Sequence, residues 1–315
     1  MPEVFLMGST QASHAPAALL RSQLASEDGI VVCPGVYDGL SARVALHAGF
    51  KGLYMTGSGT SVSRLGMPDL GLATLNDMRD NASLIASLDP SIPLIADADT
   101  GYGGIAAWPL MVGRTVAQYM RAGVAALHLE DQVVNKRCGH LKNKQLVSEN
   151  EYRSRIQAAV NMRQQLHGDI VIIARTDALQ LQGFEAAMKR LQMAIALGAD
   201  VAFLEGIRTV NEARRACQEL HPTPVLYNMV QGGVSPRLTV AQAQEIGFKI
   251  IIYPAICTRA AYMSITQSVQ CLKETGDFPD ETAGIPPASL YKICGLNEAM
   301  ELDQMAGGNA YEGGV

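Results

Sequence analysis

The segment KRCGH, residues 136–140, surrounds one cysteine with charged side chains. Neighbouring cations favour the thiolate form of a cysteine, and a histidine two residues later can relay a proton or hold an anion. Cys138 is therefore predicted to exchange a proton beside an anionic substrate. The residues predicted to assist it are Lys136, Arg137 and His140. On spacing alone, half of a zinc site and a solvated basic loop remain alternatives.

Two carboxylates lie close together in DADTGYGG, residues 97–104. On an extended segment alternate side chains point the same way, so Asp97 and Asp99 are expected to share a site. Like charges this close need a cation or a proton between them. Because no cluster of histidine and cysteine is apparent, Mg²⁺ or Mn²⁺ suits this site better than zinc, and Glu130 can join it. The alternative is that one aspartate only caps the following turn.

Two further segments have groups that bind anions. Thr56, Gly57 and Ser58, in YMTGSGTS, offer hydroxyl and backbone N–H groups that suit a carboxylate. Arg175 follows the apolar run VIIA and can bind a carboxylate through two parallel hydrogen bonds. These residues predict a pocket for a small acidic molecule.

The elements that must position these residues recur along the chain as an apolar run, a polar turn and an amphipathic stretch. The apolar runs are residues 29–38, 51–57, 92–101, 125–131, 169–177, 200–206, 223–229 and 248–254. Continuous apolar runs are typical of parallel strands that are buried on both faces. Eight of them alternating with helices predict a (β/α)8 TIM barrel. A doubly wound sheet is the alternative, but the first turn, PGVYDG, lacks its glycine fingerprint.

In a TIM barrel the active site lies at the C-terminal ends of the strands, where the predicted functional residues fall. Tyr54, Glu205 and Asn228 also follow or end such runs. The polar, cationic segment 132–147 comes directly after the fourth run. It is predicted to be a lid that closes over the substrate.

Composition limits the classes of partner and the number of domains. The chain has 315 residues and a net charge of −5 without a basic run, which argues against nucleic acid as a partner. No apolar stretch is long enough to span a membrane. The whole chain is expected to be a single barrel domain, with a partly flexible leader over residues 1–25 and a helical C-terminal extension and tail over residues 255–315.

Six scattered cysteines without paired spacing indicate reduced thiols in an intracellular compartment. The expected location is the cytoplasm, and a mitochondrial or peroxisomal location stays open.

Taken together, the motifs resemble the isocitrate lyase/phosphoenolpyruvate mutase superfamily. They include PGVYDGLSARVA, YMTGSGTS, PDLGLATLNDM, DADTGYG, LHLEDQ, KRCGH, IIARTDA and FLEG, and extend over nearly the whole chain. The chain is most similar to the short acid-lyase branch, which includes 2,3-dimethylmalate lyase, methylisocitrate lyase and oxaloacetate acetylhydrolase. The resemblance implies a (β/α)8 barrel whose eighth helix is swapped between subunits, in a homodimer or homotetramer.

The resemblance also implies roles for individual residues. Asp97 would bind Mg²⁺ directly, and Asp69, Asp99 and Glu130 would act through its waters, with Mn²⁺ as a substitute. Cys138 would be the general acid on the lid. The residues implied to poise it or to share in catalysis are Lys136, Arg137, His140 and Glu130. Those implied to hold or position the substrate are Tyr54, Thr56, Gly57, Ser58, Arg175, Glu205 and Asn228.

The implied reaction is Mg²⁺-dependent retro-aldol cleavage of a 2-hydroxy dicarboxylate similar to 2,3-dimethylmalate. It gives a keto acid such as pyruvate and a second carboxylate. Pro254 takes the position where oxaloacetate acetylhydrolases have serine, which favours the lyase. NMVQGG, residues 228–233, differs from the NMTEFG of methylisocitrate lyases, so a third substrate carboxylate lacks support.

Oxaloacetate acetylhydrolase and methylisocitrate lyase remain alternative activities for the same site. Substrates in this range are small di- or tricarboxylates. A barrel that binds its ligand without turnover is disfavoured, because the metal carboxylates and KRCGH are all present.

Overall fold

Eight parallel strands form a closed barrel in the computed structural model, in which each strand pairs with the next and the eighth pairs with the first. The structure describes residues 15–26, 29–103, 109–139, 141–279 and 284–311. The strands are β1 (Val31–Val36), β2 (Leu53–Met55), β3 (Leu94–Asp97), β4 (Ala126–Leu129), β5 (Val171–Thr176), β6 (Val201–Leu204), β7 (Val225–Asn228) and β8 (Ile250–Tyr253). Each lies inside one of the predicted apolar runs, so the (β/α)8 barrel is confirmed.

The strands form where apolar, often β-branched residues follow one another, because a barrel strand is buried on both faces. All six residues of β5, VIIART, are buried. One cluster of buried side chains fills the barrel interior and includes Cys33, Ile95, Ile173, Phe203, Leu226 and Ile252. A larger cluster lies between the barrel and the surrounding helices. These two cores hold the strand ends in fixed positions.

Helices connect the strands. They are α1 (Pro16–Ala25), α2 (Gly39–His47), α3 (Gly57–Thr60), α4 (Leu75–Leu88), α5 (Pro109–Arg121), α6 (Glu149–Gln165), α7 (Ala178–Gln182), α8 (Phe184–Ala196), α9 (Val210–Leu220), α10 (Val240–Ile246), α11 (Ile256–Thr275), α12 (Pro287–Ile293) and α13 (Leu296–Met305). A π-helical turn, Ser61–Leu65, continues α3. Asp38, Thr74 and Thr239 begin α2, α4 and α10 with reciprocal capping boxes. The caps fix the loops at the functional end of the barrel.

The segment expected to be a partly flexible leader, residues 1–25, includes a helix, and its residues 1–14 lie outside the described residues. Residues 16–25 form α1, which starts with a proline in its first turn, where the missing N–H has no cost. Leu20 and Leu24, one turn apart, join the cluster inside the barrel. Arg21 forms salt bridges with two aspartates that precede β5 and β6. Helix α1 therefore closes the N-terminal end of the barrel.

The C-terminal helices differ from those that surround the barrel. Helix α11 follows β8, yet none of its residues is buried. Its exposed apolar residues are Ile256, Tyr262, Met263, Ile265, Val269 and Leu272. A groove of about 540 Å³ lies beside β1, where Ile30, Val32, Phe50 and Val240 are among its lining residues. Within the described ranges, no helix has the length and apolar character needed to cross a membrane.

Candidate active site

A cavity of about 250 Å³ lies at the C-terminal ends of the strands. Ten residues singled out in the sequence line it: Tyr54, Thr56, Ser58, Asp69, Asp97, Cys138, Arg175, Glu205, Asn228 and Pro254. They come from β2, β3, β5 and β7 and from the loops that follow the strands. The parallel barrel brings them together because all eight strands end on the same side.

Other predicted residues lie behind the cavity or away from it. Gly57, Asp99, Glu130 and Lys136 are buried beneath its wall. Arg137 is exposed, and its guanidinium donates a hydrogen bond of 3.2 Å to the backbone carbonyl of Lys142. It therefore does not face Cys138 across the cavity. His140 lies outside the described residues.

The end of β3 turns more sharply than the sequence pattern predicts. Asp99 has φ of 46°, in the left-handed region, so Asp97 and Asp99 do not share an extended segment. The backbone N–H of Asp99 donates to Oδ1 of Asp97 at 2.9 Å, which fixes that carboxylate. Gly57 packs on its other oxygen: a Cβ at residue 57 would lie 2.4 Å from Asp97 Oδ2. Only glycine lets α3 approach this carboxylate.

Beneath the cavity, His128 joins Tyr54 to Asp97. The hydroxyl of Tyr54 lies 2.9 Å from Nε2 of His128, whose Nδ1 lies 3.6 Å from Asp97 Oδ1. Burial lowers the pKa of His128 to about 4, so the imidazole is neutral near pH 7. His128 therefore holds the phenol of Tyr54 through a hydrogen bond and adds no charge beside Asp97.

Four acidic side chains act on the ammonium group of Lys136: Asp69, Asp99, Glu130 and Asp97. Its Nζ lies 2.6 Å from Asp69 Oδ1 and contacts Asp99 as well. Burial raises the pKa of Asp99 to about 7, although Lys136 opposes this shift. Burial also raises the pKa of Glu130 well above its ordinary value, against the effect of Arg175 and Lys136. Burial thus disfavours the ionised forms of these two carboxyl groups.

Asp97 has the opposite electrostatic behaviour. Burial raises the pKa of its carboxyl group, but neighbouring groups that favour the ionised form, Lys136 and Arg175 among them, outweigh burial, and the pKa is lowered. Asp97 therefore presents an ionised carboxylate to the cavity near neutral pH.

Arg175 is held by three carboxylates. Its Nε lies 3.0 Å from Asp177 Oδ2. Its two terminal nitrogens lie 3.1 Å from Glu130 and 3.6 Å from Glu205. The side-chain amide of Asn228 donates to Glu205 at 3.0 Å, which connects β7 to this group. The network fixes the guanidinium on the cavity wall, where it can face a substrate carboxylate.

The predicted lid lies over the cavity. A Cβ on Gly139 would lie 2.7 Å from Arg175 Nη2 and from the side chain of Glu205, so the lid backbone touches the cavity wall. Cys138 lines the cavity beside it. At its base, the side chain of Gln132 hydrogen-bonds both the N–H and the carbonyl of Arg137. The thiol is thereby held opposite the residues that reach the cavity from the barrel.

The acidic residues fit a hydrated hard cation. Oxygen ligands without sulfur or imidazole suit Mg²⁺, which keeps several of its waters. Oε1 of Glu130 is buried without a hydrogen-bond partner among the described residues. In the same part of the chain, no three side chains of His, Cys, Asp or Glu are grouped closely enough to enclose an ion by themselves.

A family model described as phosphoenolpyruvate phosphomutase matches residues 20–273. The chain belongs to the phosphoenolpyruvate phosphomutase family. The 2,3-dimethylmalate lyase of Eubacterium barkeri is 38% identical over 289 residues, which cover 92% of this chain and 95% of that enzyme. The resemblance predicted from the motifs is confirmed.

Two solved structures are similar to this chain over nearly their full length. A 2,3-dimethylmalate lyase, described as a PEP mutase/isocitrate lyase superfamily member, has a TM-score of 0.91 at 51% identity and covers 96% of this chain and 98% of its own. An oxaloacetate acetylhydrolase bound to 3,3-difluorooxalacetate has a TM-score of 0.90 at 51% identity, and the match covers 95% of this chain and 99% of that enzyme's chain. Overall similarity therefore does not distinguish a lyase from a hydrolase. The two activities must be distinguished by individual residues of the site.

The structure adds residues that the sequence did not single out. Thr258 and Arg259, at the start of α11, line the cavity with Val230, Ala255 and Gly139. His128 is a polar residue within the apolar run AALHL, and a histidine in such a buried strand is a sequence signal for a functional position. Lys144 lies among several lysines of one polar loop, and nothing in its spacing distinguishes it.

Proposed function

We propose that the protein is a Mg²⁺-dependent carbon–carbon lyase that cleaves a 2-hydroxy dicarboxylate similar to 2,3-dimethylmalate. The observation that supports it most is the position of Cys138. The thiol lines the same cavity as Tyr54, Asp97 and Arg175, and it comes from the lid. A proton donor thus faces a carboxylate-binding wall across a space for a small diacid.

The substrate binds with its 2-hydroxy acid end against the barrel. Arg175 and the hydroxyl groups of Thr56 and Ser58 hold the carboxylate, and Tyr54 orients the oxygen on C2. Asp97 would hold Mg²⁺ directly, and Asp69, Asp99 and Glu130 would act through its waters. When bound, Mg²⁺ stabilises negative charge on the oxygens of the hydroxy acid.

Cleavage breaks the C2–C3 bond as the hydroxyl passes its proton, through water, to the carboxylate of Glu130, which burial makes more basic by raising its pKa, and C2 becomes a ketone. The bonding electrons pass to C3, where the second carboxylate delocalises them. Cys138 protonates C3 and becomes a thiolate, and His140 and Lys136 stabilise the anionic state of the site. The products are a keto acid such as pyruvate and a second carboxylate.

The far end of the cavity bears on the choice of substrate. Val230, Pro254 and Ala255 are apolar, and among the described residues Arg259 supplies the cation at this end. One cation and an apolar wall suit one carboxylate with alkyl substituents better than two carboxylates. This favours a dialkylated diacid over a methylisocitrate.

Hydrolysis of oxaloacetate to oxalate and acetate is the second candidate, because a solved acetylhydrolase is 51% identical. Pro254 lines the cavity where a hydrolase of the branch would have serine, and it has neither a hydroxyl nor an N–H to orient a reactant. The test is a Mg²⁺ assay of 2,3-dimethylmalate, methylisocitrate, isocitrate, oxaloacetate and citramalate, with keto acid and oxalate measured separately. Oxalate without keto acid from any hydroxy acid would replace the lyase with the hydrolase.

We also infer a homodimer or homotetramer in which α11 of one subunit packs on its partner. Helix α11 buries none of its residues in its own chain. The groove beside β1 has the apolar lining that a helix following β8 would cover in a closed barrel. A second copy of the chain supplies such a helix. The cytoplasm is the proposed location.

A further inference from the structure

Lys144 belongs to the lid, but its side chain is buried in the protein. Its Nζ donates to the backbone carbonyl of Gly139 at 2.6 Å and to Asp177 Oδ1 at 2.7 Å. The side chains of both Lys144 and Asp177 have 0% exposure. A buried ammonium with two short partners forms strong, directional contacts. Lys144 thus connects the part of the lid beside Cys138 to the barrel.

The partner on the barrel is the carboxylate that also holds Arg175. Asp177 accepts from Nε of Arg175 at 3.0 Å and from its Nη2 at 3.3 Å. The same carboxylate therefore binds one cation from the lid and one from the cavity wall. Asp131 accepts a hydrogen bond from the backbone N–H of Asp177 at 2.8 Å, which keeps this carboxylate in place.

The base of the lid is fastened without Lys144. The N–H of Val133 donates to the carbonyl of Gln145 at 3.0 Å, and the N–H of Val147 donates to that of Asp131 at 2.9 Å. Arg155, from α6, donates to the carbonyl of Gln132 at 2.7 Å. These contacts hold the two ends of the lid together, whereas Lys144 acts on its far part, at Gly139.

We propose that Lys144 is a positioning residue that holds the lid closed and links closure to the orientation of Arg175 through Asp177. When the lid opens, Gly139 withdraws and Lys144 loses its carbonyl partner. The ammonium then also separates from Asp177, and when the lid closes it returns to that carboxylate and completes the charge pattern that holds Arg175 towards the substrate. The role of Arg175 in this proposal rests on the proposed function, but the closure of the lid does not.

The test compares Lys144→Met with Lys142→Met, its matched control. Lys142 lies in the same loop and its side chain is exposed. Each purified protein is treated with iodoacetamide, with and without oxalate plus Mg²⁺, and alkylation of Cys138 is followed by mass spectrometry of its peptide. Oxalate is the probe because a related acetylhydrolase was solved with it. Thermal unfolding is measured alongside.

Protection of Cys138 by oxalate and Mg²⁺ is expected in the wild type and in Lys142→Met. In Lys144→Met, the alkylation rate of Cys138 with oxalate and Mg²⁺ should be within about twofold of the rate without them. The value of kcat/KM should fall by about 10- to 100-fold, as for a misplaced catalytic group. Lys144→Arg, which keeps a cation, should recover part of both. Full protection of Cys138 in Lys144→Met would overturn the proposal.

If Lys144→Met does not fold, Lys144→Gln replaces it, because its amide can still donate to the Gly139 carbonyl without the charge. The same loss of protection is expected, and protection equal to wild type would again overturn the proposal. The alkylation assay needs no turnover. If the wild type has no lyase activity but Lys144→Met still loses the protection of Cys138, the result would contradict the proposed function. It would nevertheless support the role of Lys144 in lid closure.

Discussion

The ammonium group of Lys136 lies 2.6 Å from a carboxylate oxygen of Asp69, so a lid residue forms a buried salt bridge with the loop before α4. Burial lowers the pKa of Lys136, but the charges of Asp99, Asp69, Glu130 and Asp97 outweigh burial and raise it well above its ordinary value. Lys136 therefore stays charged. Closure of the lid brings its charge to the carboxylates proposed to act around Mg²⁺.

Removal of divalent cations should abolish turnover. The proposed cation is held by Asp97 and by carboxylates whose charges otherwise repel one another. Dialysis against EDTA should reduce the initial rate to background, and Mg²⁺ or Mn²⁺ should restore it. Asp97→Asn should not be restored at the same concentrations. Activity that persists after exhaustive chelation would contradict the metal-dependent mechanism.

Replacement of Cys138 by serine should separate catalysis from binding. Serine keeps the shape, but its hydroxyl is far too weak an acid to replace a thiol. Loss of a general acid costs about 10²–10⁴ in rate, and the loss should fall on kcat more than on KM. Steady-state kinetics on the substrate found in the panel would measure this. A kcat within about threefold of wild type would show that Cys138 is not the general acid and that KRCGH only binds the negative charge of the substrate.

Gly139→Ala should prevent full closure of the lid. The added Cβ would lie 2.7 Å from Arg175 Nη2 and from the Glu205 side chain, closer than atoms pack. We expect kcat/KM to fall by about tenfold or more, with thermal stability unchanged. Gly284→Ala is the control, since its Cβ would meet no atom within 4 Å. Equal activity in the two variants would mean that the lid does not need to approach Arg175.

The ionised carboxylate of Asp177 should stabilise the fold at pH 7 and, because its pKa is lowered, equally at pH 5. Burial raises its pKa, but Arg175 and Lys144 outweigh burial and lower it. A group with a lowered folded-state pKa stabilises above its unfolded pKa, about 3.9, and loses this effect as pH falls through the folded value. Asp177→Asn should therefore lower the free energy of unfolding by about 3–5 kcal/mol. Urea denaturation should give the same difference at pH 7 and at pH 5; a difference that shrinks by pH 5 would mean that Asp177 is already taking up protons there.

Assembly should be measurable in solution. Light scattering at micromolar concentration should give a dimer or a tetramer, because α11 buries none of its residues in its own chain and the groove beside β1 offers an apolar lining to a helix of a second copy. Ile265→Asp, on that face, should lower the mass towards that of one chain of 33.6 kDa. A wild type that is monomeric under these conditions would contradict the swapped helix.

The barrel and most of the cavity could be predicted because both follow from local pattern. Each strand is a short apolar run, and parallel strands necessarily place Tyr54, Asp97, Arg175 and Asn228 on the same side. The left-handed turn at Asp99 was missed, since the same letters also fit an extended strand.

The ion pairs could not be predicted in the same way. Lys136 finds Asp69 and Asp99 only after β2, β3 and the lid have been brought together. Lys144 and Lys142 are equivalent in sequence, yet one is buried and the other exposed. Burial of a charged side chain depends on tertiary structure, so no periodicity in the chain marks it.

Helix α1 closes the N-terminal end of the barrel with Leu20 and Leu24, while the lid covers the other end. A reaction that splits one molecule into two then has one exit for both fragments. In the proposed binding mode, we expect the fragment beside the lid to leave first and the keto acid below it, on Tyr54 and Asp97, to leave second. The keto acid would then be the product that competes with substrate for the free enzyme.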